Sequence, residues 1–571
     1  MHHMKTLKQT ALVLLLGAAM AVSCKQAEPT YTITADRVTV NDVAANSPGA
    51  EVIVITTDAP YWIVTTPTWI KADPTTGVGG GNSTIVTLTV SSNYKDESTD
   101  TNPRSGLVKF SGGGTSLSIP VNQLGFTGAV DPNSLGGIPS MDEFKAFIEA
   151  VNNGRGITRW MNRSKEIELL TDLDLSEFTT WTPIGNVEKT GTGNYACKPM
   201  GGNAFTGVFN GGGYTIKNFN VNTTVPMVAE GATFGLFGVL DHATVKNLNV
   251  ETNFKVNAAG LADVGVVAGI VYASRIENVK VSGKISSDGT TASGTKFAMG
   301  GIAGFAFGVT EDGQNYESWI KDCEVNAEVN LDCGSNTAAG ATGVMYGGMV
   351  GFSTTPQSQT THVNIENCVN NGTMTVKIGR CSGICPTANY STILKDCTNN
   401  ANQFNTIPDG RIGQICCNLT NYSCVIGCVN NGNLTTTGAQ TTTAALVALM
   451  GHAGVYLEGG EKTVNTGTIL GCNEKYLGLI TANLSNFDHV SNVILSGQIG
   501  LYDAGGNHDY FPVSNANVMD YIGSISDANK EKVTNVTYVE GSGGNTPVVE
   551  PDSPDKNGDI DDLDLISDTW D

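Results

Sequence analysis

From Phe234 to Gly432 two short phrases alternate along the chain. One is small and apolar: Phe234-Gly-Leu-Phe-Gly238, Gly265-Val-Val-Ala-Gly-Ile270, Gly300-Gly-Ile-Ala-Gly304, Gly347-Gly-Met-Val-Gly351 and Ser382-Gly-Ile-Cys385. The other alternates apolar and polar residues: Val245 to Val250, Ile276 to Val281, Ile320 to Val325, Ile365 to Gly372, Leu394 to Asn399 and Val425 to Gly432. At the second apolar position (Leu248, Val279, Cys323, Cys368, Cys397, Cys428) the steps are 31, 44, 45, 29 and 31 residues. A period in this range marks a repeat array. Period-2 alternation predicts strands, and the odd separation of Ile320 and Cys323 predicts a bend at the intervening Asn or Asp. Asn-Asn-Gly and Gly-Gly supply positive-φ corners, and no repeat carries a helical period. A right-handed parallel β-helix, each turn stacking on the next, fits this pattern.

Outside the array, residues 31–125 alternate in short runs at Tyr31–Ala35, Glu51–Ile55, Tyr61–Val64, Thr84–Val90, Gly106–Phe110 and Ser116–Ile119. Turn residues such as Asp73-Pro74 and Gly79–Gly81 separate them, which predicts a β-sandwich. Residues 126–138 read as a linker. Ser140 then stands as an N-cap with Glu143 three positions on. Phe144, Phe147, Ile148 and Val151 fall on one helical face, so this helix is expected to cap the open end of the array. The array is assigned to 139–540, and Asp509–Val539 is expected to close its far end.

Composition narrows the class. Of 571 residues, 54 are Asp or Glu and 32 Lys or Arg, a net charge of −22 with no basic block, which excludes nucleic-acid binding. With 69 glycines and only 15% charged residues, the chain has the make-up of a turn-rich extracellular β protein. Lys5 and Lys8 precede an apolar run from Leu12 to Met20 and the box Ala21-Val-Ser-Cys24. That is a secretory signal too short to span a bilayer. The box resembles a bacterial lipobox, which implies removal of 1–23, lipid on Cys24, a tether over 24–30 and attachment to the outer membrane, facing the cell surface.

The 13 cysteines are an odd number, and four of them share the repeat position named above. Stacked equivalents pack as small hydrophobes, so buried free thiols are expected rather than disulfides. Cys381 and Cys385, Cys416–Cys417 and Cys424 with Cys428 lack the close pairs and histidine partners of a zinc site.

Trp62, the Pro67-Thr-Trp69 run, Gly77, Asn93, Arg104-Ser-Gly106, Phe110 and Val121 to Gly125 resemble a BACON domain. That is an immunoglobulin-like module of secreted Bacteroidetes carbohydrate-active proteins. The resemblance implies sugar contact through Trp62 and Trp69, or a spacer in which both are core. Leu170 to Ser176, Trp181 to Gly185, Phe205 to Ile216 and Phe234 to Gly238 resemble the lead-in of GLUG-repeat surface proteins, adhesins among them, which implies a surface role.

Candidate chemistry is sparse. Asp172 and Asp174 form a carboxylate pair read as turn and strand-end residues. Arg380, Lys395 and Arg411 are the main candidate bases, and the seven histidines are scattered. Among the inserts near 286–297, 310–319, 332–346 and 353–363, only the second joins aromatics to carboxylates. Asn315, Tyr316, Glu317 and Trp319 are therefore the candidate carbohydrate contacts, with Trp319 equally able to cover a sheet edge. Glu311, Asp312 and Glu317 could serve as acid and base. In the acidic, glycine-rich tail 541–571, which reads as disordered, Asp555, Asn557 and Asp559 are weak calcium candidates, because Ile560 stands where the loop needs glycine. The leading expectation is a non-catalytic adhesin or glycan binder. The alternatives are a β-helix polysaccharide lyase or glycosidase, and a surface spacer.

Overall fold

The computed structural model describes residues 30–43, 45, 50–93, 101–126, 134–187, 189–190, 199–200, 202–225, 232–288, 297–332, 344–357, 359–503 and 505–539. Cys24 and its signal, the tail with Asp555, Asn557 and Asp559, and most of the inserts near 286–297 and 332–346 lie outside them. The chain divides into two compact units, Met1–Val130 and Asp131–Asp571.

Among its described residues the first unit has nine strands in two sheets. β1 (Ile33–Ala35), β3 (Ala50–Thr57), β7 (Ser83–Val90) and β5 (Ile70–Asp73) make one, in that order. β2 (Val40–Val43), β9 (Thr115–Gln123), β8 (Arg104–Gly112), β4 (Tyr61–Thr65) and β6 (Thr76–Val78) make the other. Alternate residues such as Ile53, Ile55, Val86, Leu88, Val108 and Phe110 meet in one core. The alternation therefore lies where the sequence placed it, and the short strands β2, β5 and β6, with little periodicity of their own, are additions.

In the second unit α1 spans Met141–Asn152. The Ser140 hydroxyl accepts the Glu143 N–H at 3.3 Å. The expected capping box is only half made, because the Glu143 carboxylate turns away to Arg159 Nη2 (2.6 Å) and Trp160 Nε1 (2.8 Å). Phe144, Phe147, Ala150 and Val151 are buried, with Phe147 against Phe205 and Phe209 at 6.1 Å in each case.

Most of the rest is three stacks of parallel strands. Among the described residues the longest has 24 strands, from Glu166–Glu168 to Val533–Tyr538, of which His508–Tyr510 alone pairs antiparallel, and the others have eight and nine. Each small apolar phrase bridges the two shorter stacks. Thus Ala232–Phe234 and Phe237–Asp241 lie one in each, joined by the bend at Gly235 and Leu236. At the bend of Gly348 only glycine fits, because a Cβ there would stand 1.9 Å from the Gly383 carbonyl. Each polar phrase feeds the long stack, and its bend is real. Asn247, Asn278, Asp322, Asn367 and Asp396 sit in the left-handed region at φ 52–54°. Asn and Asp adopt that conformation at least cost among residues with a side chain. Val533–Tyr538 joins the long stack as its last parallel strand, so the far end of the array contains one more repeat than its loosened pattern suggested.

After each bend comes the shared position. Cys323, Cys368, Cys397 and Cys428 are buried and free; the other described cysteines are free too, and all but the half-buried Cys472 are buried. Their sulfurs lie 3.3–3.6 Å from the carbonyls of Ile276, Ile320, Ile365 and Leu394 of the preceding repeat. Burial pushes the Cys368 and Cys428 thiols well above their ordinary range, and Cys385, Cys417 and Cys424 up to about 12. The Asn-Asn-Gly corners add two amide ladders. Asn370, Asn399, Asn430 and Asn465 form a buried one, each amide nitrogen donating to the next oxygen at 2.8–3.0 Å. The neighbouring residues Asn326, Asn371, Asn400 and Asn431 form an exposed one at 2.7–2.9 Å.

A second apolar seam was not legible in the sequence. Val239, Ile270, Phe305 and Phe352 align strand by strand on one short stack, and Ala298 and Met345 on the other, in a cluster separate from the main core. In the strand after Met345 the position passes to Arg380, fully buried, and then to Arg411.

Candidate ligand-binding face

The insert with aromatics and carboxylates is a β-hairpin. Val309–Glu311 pairs antiparallel with Gln314–Tyr316 around a two-residue turn, Asp312 (φ 50°) and Gly313 (φ 78°). Positive φ at both turn positions is the geometry that Asp-Gly favours in tight hairpins. Ser318–Lys321 already belongs to the long stack, so the insert is shorter than its composition implied.

The hairpin is fastened on two flanks. Tyr272 donates its hydroxyl to Glu311 Oε1 at 2.7 Å. His242 places Nδ1 2.6 Å from Asp241 Oδ1 and Nε2 3.8 Å from Glu311 Oε2. The Tyr316 ring meets the His242 ring edge-on at 4.7 Å, and its hydroxyl donates to Gln314 at 3.0 Å. On the other flank Glu317 lies 3.0 Å from His362 Nδ1 and accepts the Asn364 amide at 3.1 Å. Asn315 donates to the Thr360 carbonyl at 2.9 Å and accepts from Thr310 and Thr361.

The expected sugar contacts are thus mostly engaged by the fold. Trp319 is a strand residue, 8% exposed, with the Arg275 guanidinium 5.3 Å from its ring centre. Of its two readings, sheet-edge cover is the one that this burial fits. Trp62 is fully buried against Phe110, and a Cβ on Gly77 would strike its indole at 2.5 Å, so it has no face to offer a ligand. Trp69 is half-buried with the Arg104 guanidinium 4.4 Å over its ring. Sequence reasoning missed His242, Tyr272 and His362, which come from three different repeats and carry no local motif.

The catalytic candidates are dispersed. Asp172 receives Lys217 Nζ at 2.7 Å and the Thr215 N–H at 2.9 Å, and these contacts hold its carboxyl below the usual range. The Asn218 amide and the Ser176 N–H do the same for Asp174. Lys395 pairs with Glu366 at 3.1 Å. Arg380 donates to Thr387 at 3.2 Å. With the Asn418 amide turned so that both its ends are satisfied, its oxygen accepts from Arg380 at 3.1 Å and from Arg411 at 3.2 Å. Among the described residues no His, Cys, Asp and Glu side chains gather three or more to a metal-holding site, and no helix is long and apolar enough to cross a membrane.

Residues 56–124 match the BACON family. That family is described as a "Putative binding domain, N-terminal", and the match covers β4 through β9, including Trp62 and Trp69. A "Putative Gly-rich membrane protein" of Evansella cellulosilytica is 28% identical over 160 residues, 27% of this chain. The chain spans only 16% of that relative's length. A solved Bacteroides ovatus GH5 xyloglucanase, in complex with a XXXG heptasaccharide, aligns at 20% identity over 19% of this chain and 21% of that one. Its TM-score is 0.14.

Proposed function

We propose that this is a lipid-anchored surface protein that binds glycans and does not turn them over. In this reading the three stacks wind as one right-handed β-helix of GLUG-like repeats. Between Ala232 and Asn486 each repeat adds a strand to both short stacks as well as to the long one, all three stacks share one core, and Phe144 and Phe147 of α1 join it, which supports a coil with a capped end. The lipid on Cys24 rests on the lipobox-like sequence alone, and Cys24→Ala is expected to release the protein from the membrane fraction.

The observation that carries the non-catalytic reading is the occupation of the hairpin carboxylates. Glu311 and Glu317 spend their oxygens on Tyr272, His242, His362 and Asn364. A glycosidase needs two carboxyls facing one bond, one to give a proton and one to attack or to activate water, whereas Glu311 and Glu317 are tied to opposite flanks of the hairpin. Hairpin carboxylates held in this way serve positioning. Screening residues 31–540 on a glycan array, with a product assay alongside, is expected to give binding without cleavage. Cleavage products would overturn the reading, and an array blank for every glycan would leave the spacer role in its place.

A further inference from the structure

On the outer face of the long stack polar side chains pair with the neighbouring repeat. Asn247 donates to Asn210, Asn278 to Asn247, and Lys280 and Lys284 meet Glu324 and Glu328 at 3.0 Å. Among the described residues one stretch follows this rule only in part. Asn218, Asn220, Glu251, Thr252, Ser282 and Gly283 line an open groove of about 320 Å³ across three successive strands. That volume lies at the lower end of the range for small-molecule sites, about 300–1,000 Å³.

The groove is built by two irregularities. Asn218 takes the left-handed conformation at φ 54°, and the register shifts between Ile216 and Phe219. Gly283 sits at φ 113°, where a Cβ would come within 2.0 Å of the Thr252 carbonyl, so no side chain can fill the space from that strand. Thr252 turns its hydroxyl back to the Phe219 carbonyl at 2.5 Å, and Asn220 uses its amide oxygen on the Asn253 N–H at 3.2 Å. The Glu251 carboxylate and the Ser282 hydroxyl have no hydrogen-bond or ion-pair partner among the described residues. The Lys217 ammonium is near enough to Glu251 for each to feel the other's charge.

We infer that this groove is a binding site for the vicinal hydroxyls of one neutral sugar ring. A carboxylate accepts on both oxygens, so two adjacent hydroxyls can donate to Glu251 together, while the Ser282 hydroxyl and the Asn220 amide nitrogen face the remaining oxygens. Lys217 is committed to Asp172 at 2.7 Å, so Glu251 keeps both carboxylate oxygens for hydroxyl donors. No aromatic lines the groove, so recognition rests on hydrogen bonds. The inference depends on the glycan-binding reading and gives it a location apart from the hairpin.

Saturation-transfer NMR of residues 31–540 with methyl mannoside, galactoside and glucoside tests it, alongside Glu251→Gln, Ser282→Phe and the hairpin variant Tyr316→Ala. Circular dichroism confirms that each variant is folded. The expected result is a signal for at least one glycoside, weakened about tenfold or more by each groove variant and unchanged in Tyr316→Ala. A wild-type signal that survives in the folded Glu251→Gln and Ser282→Phe proteins overturns the groove and leaves glycan binding standing. No wild-type signal with any of the three, while the array is positive, overturns the groove alone. No signal in either assay overturns both.

Discussion

Asn371 and Asn315 are both exposed asparagines beside tight bends, and they use their amides in opposite ways. Asn371 donates to Asn326 one repeat back and accepts from Asn400 one repeat on, so its partners are copies of itself. Asn315 engages Thr310, Thr360 and Thr361, three residues that nothing else in the repeat resembles. In the ladder, one good arrangement is reused at every turn. In the hairpin each contact is made once, and a change there leaves the rest of the stack intact. Inserts and irregularities can therefore vary in sequence, while the ladders are committed to the fold.

The sharpest way to break this comparison is to interrupt the buried ladder. Asn399→Ala removes the acceptor of Asn370 and the donor to Asn430 at once, stranding two buried amides. Each unmet buried polar group costs about 1–3 kcal/mol, so a loss of roughly 2–4 kcal/mol is expected in denaturant unfolding. The adjacent exposed rung, Asn400→Ala, is expected to lose less than about 1 kcal/mol because water takes over its partners. Equal losses would mean that the ladder is no more than a consequence of stacking.

The thiol ladder gives a middle-sized test. Cys397→Ser puts a hydroxyl into a fully buried position where the larger sulfur spans 3.3 Å to the Ile365 carbonyl. A cost of about 1–3 kcal/mol is expected. In the unmutated protein, thiol reagents are expected to label Cys368 and Cys428 only after denaturation, since burial both shields them and suppresses the thiolate. Fast labelling of the native protein would remove the ladder from the core. At the hairpin, Glu311→Gln weakens the contacts to Tyr272 and His242 and is expected to cost under about 1 kcal/mol. Amide exchange should quicken at residues 309–316 and stay unchanged in the stacks.

The same contrast explains what the sequence could tell. The left-handed corners at Asn278, Asp322 and Asn367, the shared thiol position and the parallel order follow from a pattern that recurs, so several copies vote for each feature. The N-cap at Ser140 and the apolar face of α1 follow from local rules. The hairpin's fastening does not, because His242, Tyr272 and His362 reach it from separate repeats and only the fold brings them together. The outer apolar seam was hidden for a related reason. Val239, Ile270 and Phe352 stand beside inward residues in short runs that are apolar throughout, and such runs carry no period to say which face is which. Trp319 is open to both readings in the sequence because its insert is polar, and the strand begins one residue before it.

The smallest expected effect lies at the start of the long stack, where exposed carboxylates tie one strand to the next. Lys217 and the Thr215 N–H hold the Asp172 carboxyl below its usual range, and Asn218 and the Ser176 N–H do so for Asp174. A carboxyl depressed in the folded state adds stability above its unfolded pKa, about 3.9, and that contribution fades as pH falls through the folded value. Asp172→Asn is therefore expected to melt slightly below the unmutated protein at neutral pH, with the gap closing under acid below about pH 4. Both carboxylates are solvent-exposed, so high salt should narrow the same gap at neutral pH by screening the Lys217 contact. A gap that persists in acid and in salt would assign the role of Asp172 to its backbone contact with Thr215, making it a turn residue like the corner asparagines and not a charge across strands.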